Sequence, residues 1–267
     1  MPVRKRFGQH FLHDRSVISR IVQAISPAAG ERVVEIGPGR GALTFALLER
    51  LPSLDAVEID RDLAARLQTD PRAAGRLRLH VGDALATDYV ALRGDGPPLR
   101  IVGNLPYNIS TPLLFHLLHQ RGAVADMYFM LQKEVVDRMT ARPGGKAYGR
   151  LSVMLAAHAD VERLFDVGPG SFKPPPKVWS SVVRVRPLGA PAFDFGSDAA
   201  LRSLVTTAFS HRRKTLKNGL QDLLSADEIA ACGIDPSLRP EVLEPAQFGR
   251  LAASLHGRRE AAKTPTS

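Results

Sequence analysis

The residues best suited to chemistry are Asn104-Leu105-Pro106-Tyr107. They follow a short apolar run, Leu99 to Gly103, with Pro97-Pro98 before it. The run predicts a buried strand, which leaves the four residues at its carboxyl end, the edge at which open α/β sheets bind ligands. Asn104 brings an amide that accepts and donates. Pro106 fixes its own φ and has no N–H, so the turn is stiff and the Leu105 carbonyl has a set direction. Tyr107 offers a flat face on which a base can stack. Together these groups suit a clamp on an exocyclic amine, such as the N6 of adenine.

A clamp needs a cofactor beside it, and the preceding segments predict one. Glu35-Ile36-Gly37-Pro38-Gly39-Arg40-Gly41 lies between a predicted strand, Arg32 to Ile36, and a helix from Ala42 to about Leu51. Glycines there let the backbone pass close to a ligand, with a helix amino terminus behind it. The spacing is G-x-G-x-G, not the G-x-G-x-x-G of pyrophosphate-binding loops. Glu58 ends a second predicted strand, Leu54 to Ile59, about twenty residues past the glycines, where an acid pairs with ribose hydroxyls. Asp83 follows a third, Leu77 to Val81, placed to meet an adenine edge. A tight turn plus helix caps would explain one such loop. Acids after three strands of one sheet favour an adenosine-bearing cofactor. Carboxylates such as Glu35 suit a sulfonium and an α-amino group and would repel a pyrophosphate, which favours S-adenosylmethionine over NAD.

The elements that must hold these groups alternate strand with helix. They include strands from Met127 to Leu131, Val161 to Val167 and Ser181 to Val185, and helices from Val17 to Ile25, Pro112 to about His119 (capped by Thr111) and Lys133 to Thr140. This pattern predicts an α/β fold with a doubly wound, mostly parallel, seven-stranded Rossmann-like sheet. After Pro187 the texture turns helical, with Leu201 to Phe209, Leu216 to Leu224, Ala226 to Ala231 and Pro245 to His256. The expected division is 1–187, including a basic arm at 1–13, and a small all-α domain at 188–267.

The chain carries a formal charge of +9. Basic residues outnumber acidic by four to one in residues 1–15 and by 14 to 9 in 171–267, against 18 to 17 between them. A neutral core with polyanion-binding ends fits that distribution, as does charge serving solubility alone. The single cysteine, Cys232, excludes an intrachain disulfide and fits a reducing cytoplasm. No apolar segment follows Met1 to Arg6 and no run of 18 apolar residues occurs, so neither a signal peptide nor a membrane span is expected. His10 and His13 lack the companions of a metal site, so none is expected. Glu134 and Arg138, four residues apart, suit a solvated helix pair. His211 to Lys217 suits either a solvated helix face or contact with RNA phosphates.

Several segments together resemble the class I S-adenosylmethionine-dependent rRNA adenine N6-dimethyltransferases. They are Lys5-Arg-Phe-Gly-Gln-His-Phe-Leu12, Glu35-Ile-Gly-Pro-Gly39, Asn104-Leu-Pro-Tyr-Asn-Ile-Ser-Thr-Pro112, Met130-Leu-Gln-Lys-Glu134, Lys146-Ala-Tyr-Gly-Arg-Leu-Ser152, Phe172-Lys-Pro-Pro-Pro-Lys-Val178 and Arg212-Arg-Lys214. The likeness runs from about Arg4 to Arg250. It implies dimethylation of two adjacent adenines near the 3′ end of 16S rRNA, within the small ribosomal subunit or its precursor, by a cytoplasmic monomer without membrane contact. By position it implies cofactor contacts at His10, Leu12, Gly37, Glu58, Asp83 and Asn104. It further implies a catalytic corner of Asn104, Leu105, Pro106 and Tyr107, with Phe172 as second stacking ring. RNA contacts are expected at Arg4, Lys5, Arg6, Lys146, Arg150, Arg212, Arg213, Lys214 and Lys217. The chain departs from the family pattern at His10, where Asn is common, and at Trp179, where a small or acidic residue is usual. A 23S rRNA or DNA adenine N6-methyltransferase is the nearest enzyme alternative, and a non-catalytic ribosome-assembly or transcription factor on the same fold is another.

Overall fold

The site is positioned by a sheet whose face is covered by the apolar stripes of helices. The computed structural model describes residues 10–28, 30–106 and 108–261. Its strands are β1 (Phe11–Leu12), β2 (Arg32–Ile36), β3 (Leu54–Glu58), β4 (Leu77–Val81), β5 (Leu99–Asn104), β6 (Val124–Gln132), β7 (Ala159–Val167), β8 (Phe172–Lys173) and β9 (Ser180–Pro187). Its α-helices are α1 (Arg15–Ile25), α2 (Ala42–Leu48), α3 (Arg61–Gln68), α4 (Tyr89–Arg93), α5 (Ser110–His119), α6 (Lys133–Met139), α7 (Arg150–His158), α8 (Asp198–Ser210), α9 (Leu216–Gly219), α10 (Ala226–Ala231) and α11 (Pro245–Ala261).

The main sheet has the order β4-β3-β2-β5-β6-β9-β7. Strands β2 to β6 pair in parallel, and β9 runs antiparallel to β6. This is the seven-stranded, mostly parallel sheet that the alternation predicts. The chain lays β3 and β4 on one side of β2, then crosses to lay β5 and β6 on the other, and that reversal opens a crevice at the carboxyl edge. Gly103 makes the crossing possible. A Cβ there would stand 2.6 Å from the Ile36 carbonyl oxygen.

Helix α1 starts where the Asp14 carboxylate accepts the Ser16 N–H at 2.9 Å. Its Ile18, Ile21, Val22 and Ile25 are buried with Leu43, Leu47 and Leu48 of α2 over Val33 and Val102 of the sheet. Each such side chain contributes about 1.5–3 kcal/mol of burial.

Three local expectations give way. Residues 11–12 of the arm are a strand, because Phe11 and Leu12 pair antiparallel with Lys173 and Phe172. Helix α5 begins at Ser110 and its cap, Ile109, makes no side-chain bond, so Thr111 is not the cap. The leucines from 216 to 224 form only the four-residue α9 and a turn, for Leu220 and Leu224 are buried without helical continuation.

Contacts divide the chain into two units. One holds the residues up to Val136 together with Val161–Gly189; the other holds Asp137–Asp160 and the residues from Ala190 on. A single division at 187/188 makes no provision for Asp137–Asp160. That segment joins the C-terminal helices through Tyr148, whose hydroxyl donates to the Leu243 carbonyl at 2.7 Å and whose ring meets Phe209 edge-on. No helix among the described residues is long and apolar enough to cross a membrane.

Candidate active site

At the carboxyl edge of the first unit, β2, β3, β4 and β5 deliver Glu35, Glu58, Asp83 and Asn104 to the wall of one cavity of about 360 Å³. His10, Leu12, Gly37, Leu105, Pro106 and Phe172 complete the expected set around it. Tyr107, Arg4, Lys5 and Arg6 lie outside the described residues.

The glycine loop is tied down from behind and open in front. Gly37, Gly39 and Gly41 take φ of 66°, 58° and 82°, a region that glycine enters without steric cost. The Gly39 N–H donates to Glu58 Oε2 at 3.1 Å, and the Asp60 N–H to Glu58 Oε1 at 2.9 Å. A Cβ at Gly41 would strike Leu67 at 2.8 Å, whereas one at Gly37 or Gly82 would meet nothing within 4 Å. The bare backbone at those two positions borders free space, as a cradle for a ligand requires.

Two of the acids are buried. Desolvation pushes the Glu58 carboxyl above its usual range. Glu35, 2 % exposed, is pushed up to about 8 by burial, opposed by the Thr44 hydroxyl that donates to its Oε2 at 2.6 Å. The sequence expectation is a carboxylate; in the cavity as it stands, Glu35 keeps its proton at neutral pH. A cation placed beside it would favour the ionised form. Asp83 is exposed, and its Oδ1 accepts the Leu85 N–H at 2.9 Å.

The corner at the end of β5 is oriented by the chain's amino-terminal segment. Asn104 Nδ2 donates to the His10 carbonyl oxygen at 3.0 Å. That bond fixes the amide and leaves its Oδ1 as the acceptor, with no partner among the described residues. The Leu105 N–H donates to the Met130 carbonyl at 3.2 Å, extending the ladder one step past the strand, while no described hydrogen bond takes up the Leu105 carbonyl. His10 is held in turn by its Nδ1, which donates to the Pro174 carbonyl at 2.9 Å. Phe11 covers the glycine loop, with the Arg40 guanidinium 4.4 Å from its ring centroid. Phe172, opposite Leu12 in the β1–β8 ribbon, reaches the cavity from a core that includes Tyr128, Met130 and Val182, and is 3 % exposed.

Sequence reasoning missed Ile59. It reads as the last residue of a buried strand, yet β3 ends at Glu58 and Ile59 lines the cavity with 49 % of its surface exposed. An apolar face beside Glu58, the acid expected to meet a ribose, suits a flat ring. The available signal was its position, directly after a strand-ending carboxylate.

In the second unit, Lys146, Arg150, Arg213, Lys214 and Lys217 are exposed. Arg212 is half-buried and bonded inward. Its guanidinium donates to Glu241 Oε2 at 2.8 Å and to the carbonyls of Lys146 and Gly145 at 3.0 and 3.3 Å. It staples the Gly145–Lys146 loop to the turn after α8, the turn that carries Arg213 and Lys214.

A model of the ribosomal RNA adenine dimethylase family matches residues 2–256. A curated relative from Nitrosococcus oceani, a "Ribosomal RNA small subunit methyltransferase A", is 57% identical over 90% of this chain and 91% of its own. The crystal structure of a dimethyladenosine transferase from Plasmodium falciparum is similar with a TM-score of 0.75 at 25% identity, covering 91% of this chain and 96% of that one. That of the 23S rRNA methyltransferase ErmE is similar with a TM-score of 0.69 at 26% identity, covering 92% and 99%.

Proposed function

The chain belongs to the ribosomal RNA adenine dimethylase family, and on that premise we propose that it methylates the N6 of two adjacent adenines near the 3′ end of 16S rRNA, twice each, in the cytoplasm. The small-subunit target follows the name of the 57% relative, since the backbone likeness extends equally to an enzyme of 23S rRNA. The family uses S-adenosylmethionine, and the cavity fits it: bare backbone at Gly37 and Gly82, an acid for the ribose in Glu58, Asp83 for the adenine edge, and the Ile59 face. The cofactor supplies a methyl group already activated on a sulfonium, so the protein's task is the nucleophile.

The adenine N6 lone pair is delocalised into its ring. In the first transfer Asn104 Oδ1 and the Leu105 carbonyl accept its two N–H groups and draw the nitrogen towards a tetrahedral shape. In the second the monomethylated amine has one N–H left for them, and each transfer releases one proton to solvent. The same two oxygens stabilise the positive charge that develops there, and they are set before the substrate arrives. Pro106 keeps the corner rigid and Tyr107 stacks the extruded base. Phe172, expected as the second stacking ring, is 3 % exposed within the core and so forms part of the cavity wall. The observation that carries this reading is the Asn104 amide, pinned by its nitrogen to His10 with its oxygen left over on the cavity wall. Arg4, Lys5, Arg6, Lys146, Arg150, Arg213, Lys214 and Lys217 bind rRNA phosphates, with Arg212 shaping the surface that carries three of them.

The test offers labelled cofactor with unmethylated small subunits, large subunits or DNA to the monomer and maps the modified base. Label on two adjacent adenines of 16S rRNA is expected. Label confined to 23S rRNA or DNA rejects the target, and none anywhere favours a non-catalytic assembly role.

A further inference from the structure

Phe172 and Trp179 bound the proline-rich loop between β8 and β9, and they are opposites in burial. Phe172 is 3 % exposed and lines the cavity; Trp179 is 54 % exposed, with Val178 beside it at 44 %. Among the described residues the indole Nε1 donates no hydrogen bond, and the ring has no aromatic or cationic partner. It leans on Gly168, where a Cβ would lie 3.7 Å from its edge. Gly168 opens the short connection that leads from β7 to Phe172. The backbone is anchored, for the Trp179 carbonyl accepts the Lys133 N–H at 2.9 Å. Lys173 and Lys177 on the same loop are exposed.

The register gives its distance from the chemistry. Asn104, Met130 and Val182 form one row across β5, β6 and β9, and all three line the cavity. Trp179 stands three residues from Val182, past Ser180, the partner of Gln132 at the carboxyl end of β6. Three residues of strand span roughly 10 Å. The Trp179 backbone therefore lies at the carboxyl edge of the sheet, the edge at which the cavity opens, on a loop that also carries Lys173 and Lys177. An exposed large aromatic without an aromatic or cationic partner among the described residues, on a fixed backbone in a loop that also carries two exposed lysines, is the makeup of a stacking platform for single-stranded nucleic acid.

We propose that Trp179 is a second platform, which stacks the base of an rRNA nucleotide neighbouring the target adenine and so positions the strand across the cavity mouth. The proposal rests on the rRNA reading above. It makes Trp179 a positioning residue: its loss should weaken substrate binding and leave the chemical step alone. Trp179→Ala is expected to raise KM for unmethylated small subunits about tenfold, with kcat and cofactor affinity unchanged, and Trp179→Phe to stay within about threefold of the parent. Trp179 is the only tryptophan in the chain, so its fluorescence reports the stack directly. A single-stranded oligoribonucleotide carrying two adjacent adenines should quench it at saturation. An unchanged KM in Trp179→Ala, equal losses in the alanine and phenylalanine variants, or fluorescence unmoved at saturation would each overturn the proposal. A parent enzyme that methylates no small subunits would instead remove the reading beneath it, and only that result touches the family assignment of the target.

Discussion

On the reading proposed above, the cavity of the first unit and the basic surface of the second would meet the same class of ligand by contrary means. The cavity is built from buried or half-buried, singly placed groups: the Asn104 amide nitrogen is pinned to His10, Glu35 and Glu58 are held by named donors, and Gly103 has no room for a methyl group. The surface is built from exposed cations, proposed to share one job, with the Arg212 guanidinium fixed by internal hydrogen bonds. A reacting atom needs position, which is spoiled by a small displacement; a polyanion needs charge, which adds up and is shared. Damage to the first should be steep and damage to the second graded.

The largest effect should come from Asn104→Ala. Removing one preorganised group at a site of developing charge costs about 10²- to 10³-fold in kcat. Single-turnover rates against cofactor affinity check it, and unchanged turnover would erase the contrast. Next, Gly103→Ala forces a contact with the Ile36 carbonyl and should cost about 1–3 kcal/mol, read as a lowered Tm with weakened cofactor binding.

Glu35→Gln sharpens the contrast through pH. In the folded, cofactor-free protein Glu35 keeps its proton to about pH 8, whereas an unperturbed carboxyl of its type releases it near 4.5. Between those values the folded state binds the extra proton, so stability falls as pH rises through this window. The variant should match the parent near pH 5 and exceed its Tm by about 4 °C or more above pH 8. Parallel melting curves across the range would refute the buried acid.

The smallest effects belong to the surface. Arg213→Ala and Lys214→Ala should each weaken RNA binding a few-fold and lower the slope of log K against log salt by about 1, with Tm unchanged. Arg212→Ala should behave differently and lower Tm, because it leaves the Gly145–Lys146 loop without its staple.

What could be read in the sequence follows the same line. Strand, loop and acid alternate with a period that backbone geometry imposes, so the sheet and the cavity residues Gly37, Glu58, Asp83 and Asn104 were legible from spacing. Contacts across long stretches of chain leave no periodic trace. Nothing local announces that Phe11 pairs with Lys173, that Tyr148 reaches Leu243, or that Arg212 turns inward to Glu241 when Arg213 does not. Ile59 was misread because an apolar residue at a strand end looks the same whether it faces the core or a ligand.

The bond from Asn104 to His10 uses a main-chain oxygen, which every amino acid possesses. The side chain at position 10 takes no part in that bond, although in this chain the His10 ring anchors the segment to the Pro174 carbonyl. Deletion is another matter. Shortening the protein past this point, or displacing the segment with a bulky fusion, would release an amide 94 positions downstream and silence an enzyme whose every reactive group is intact.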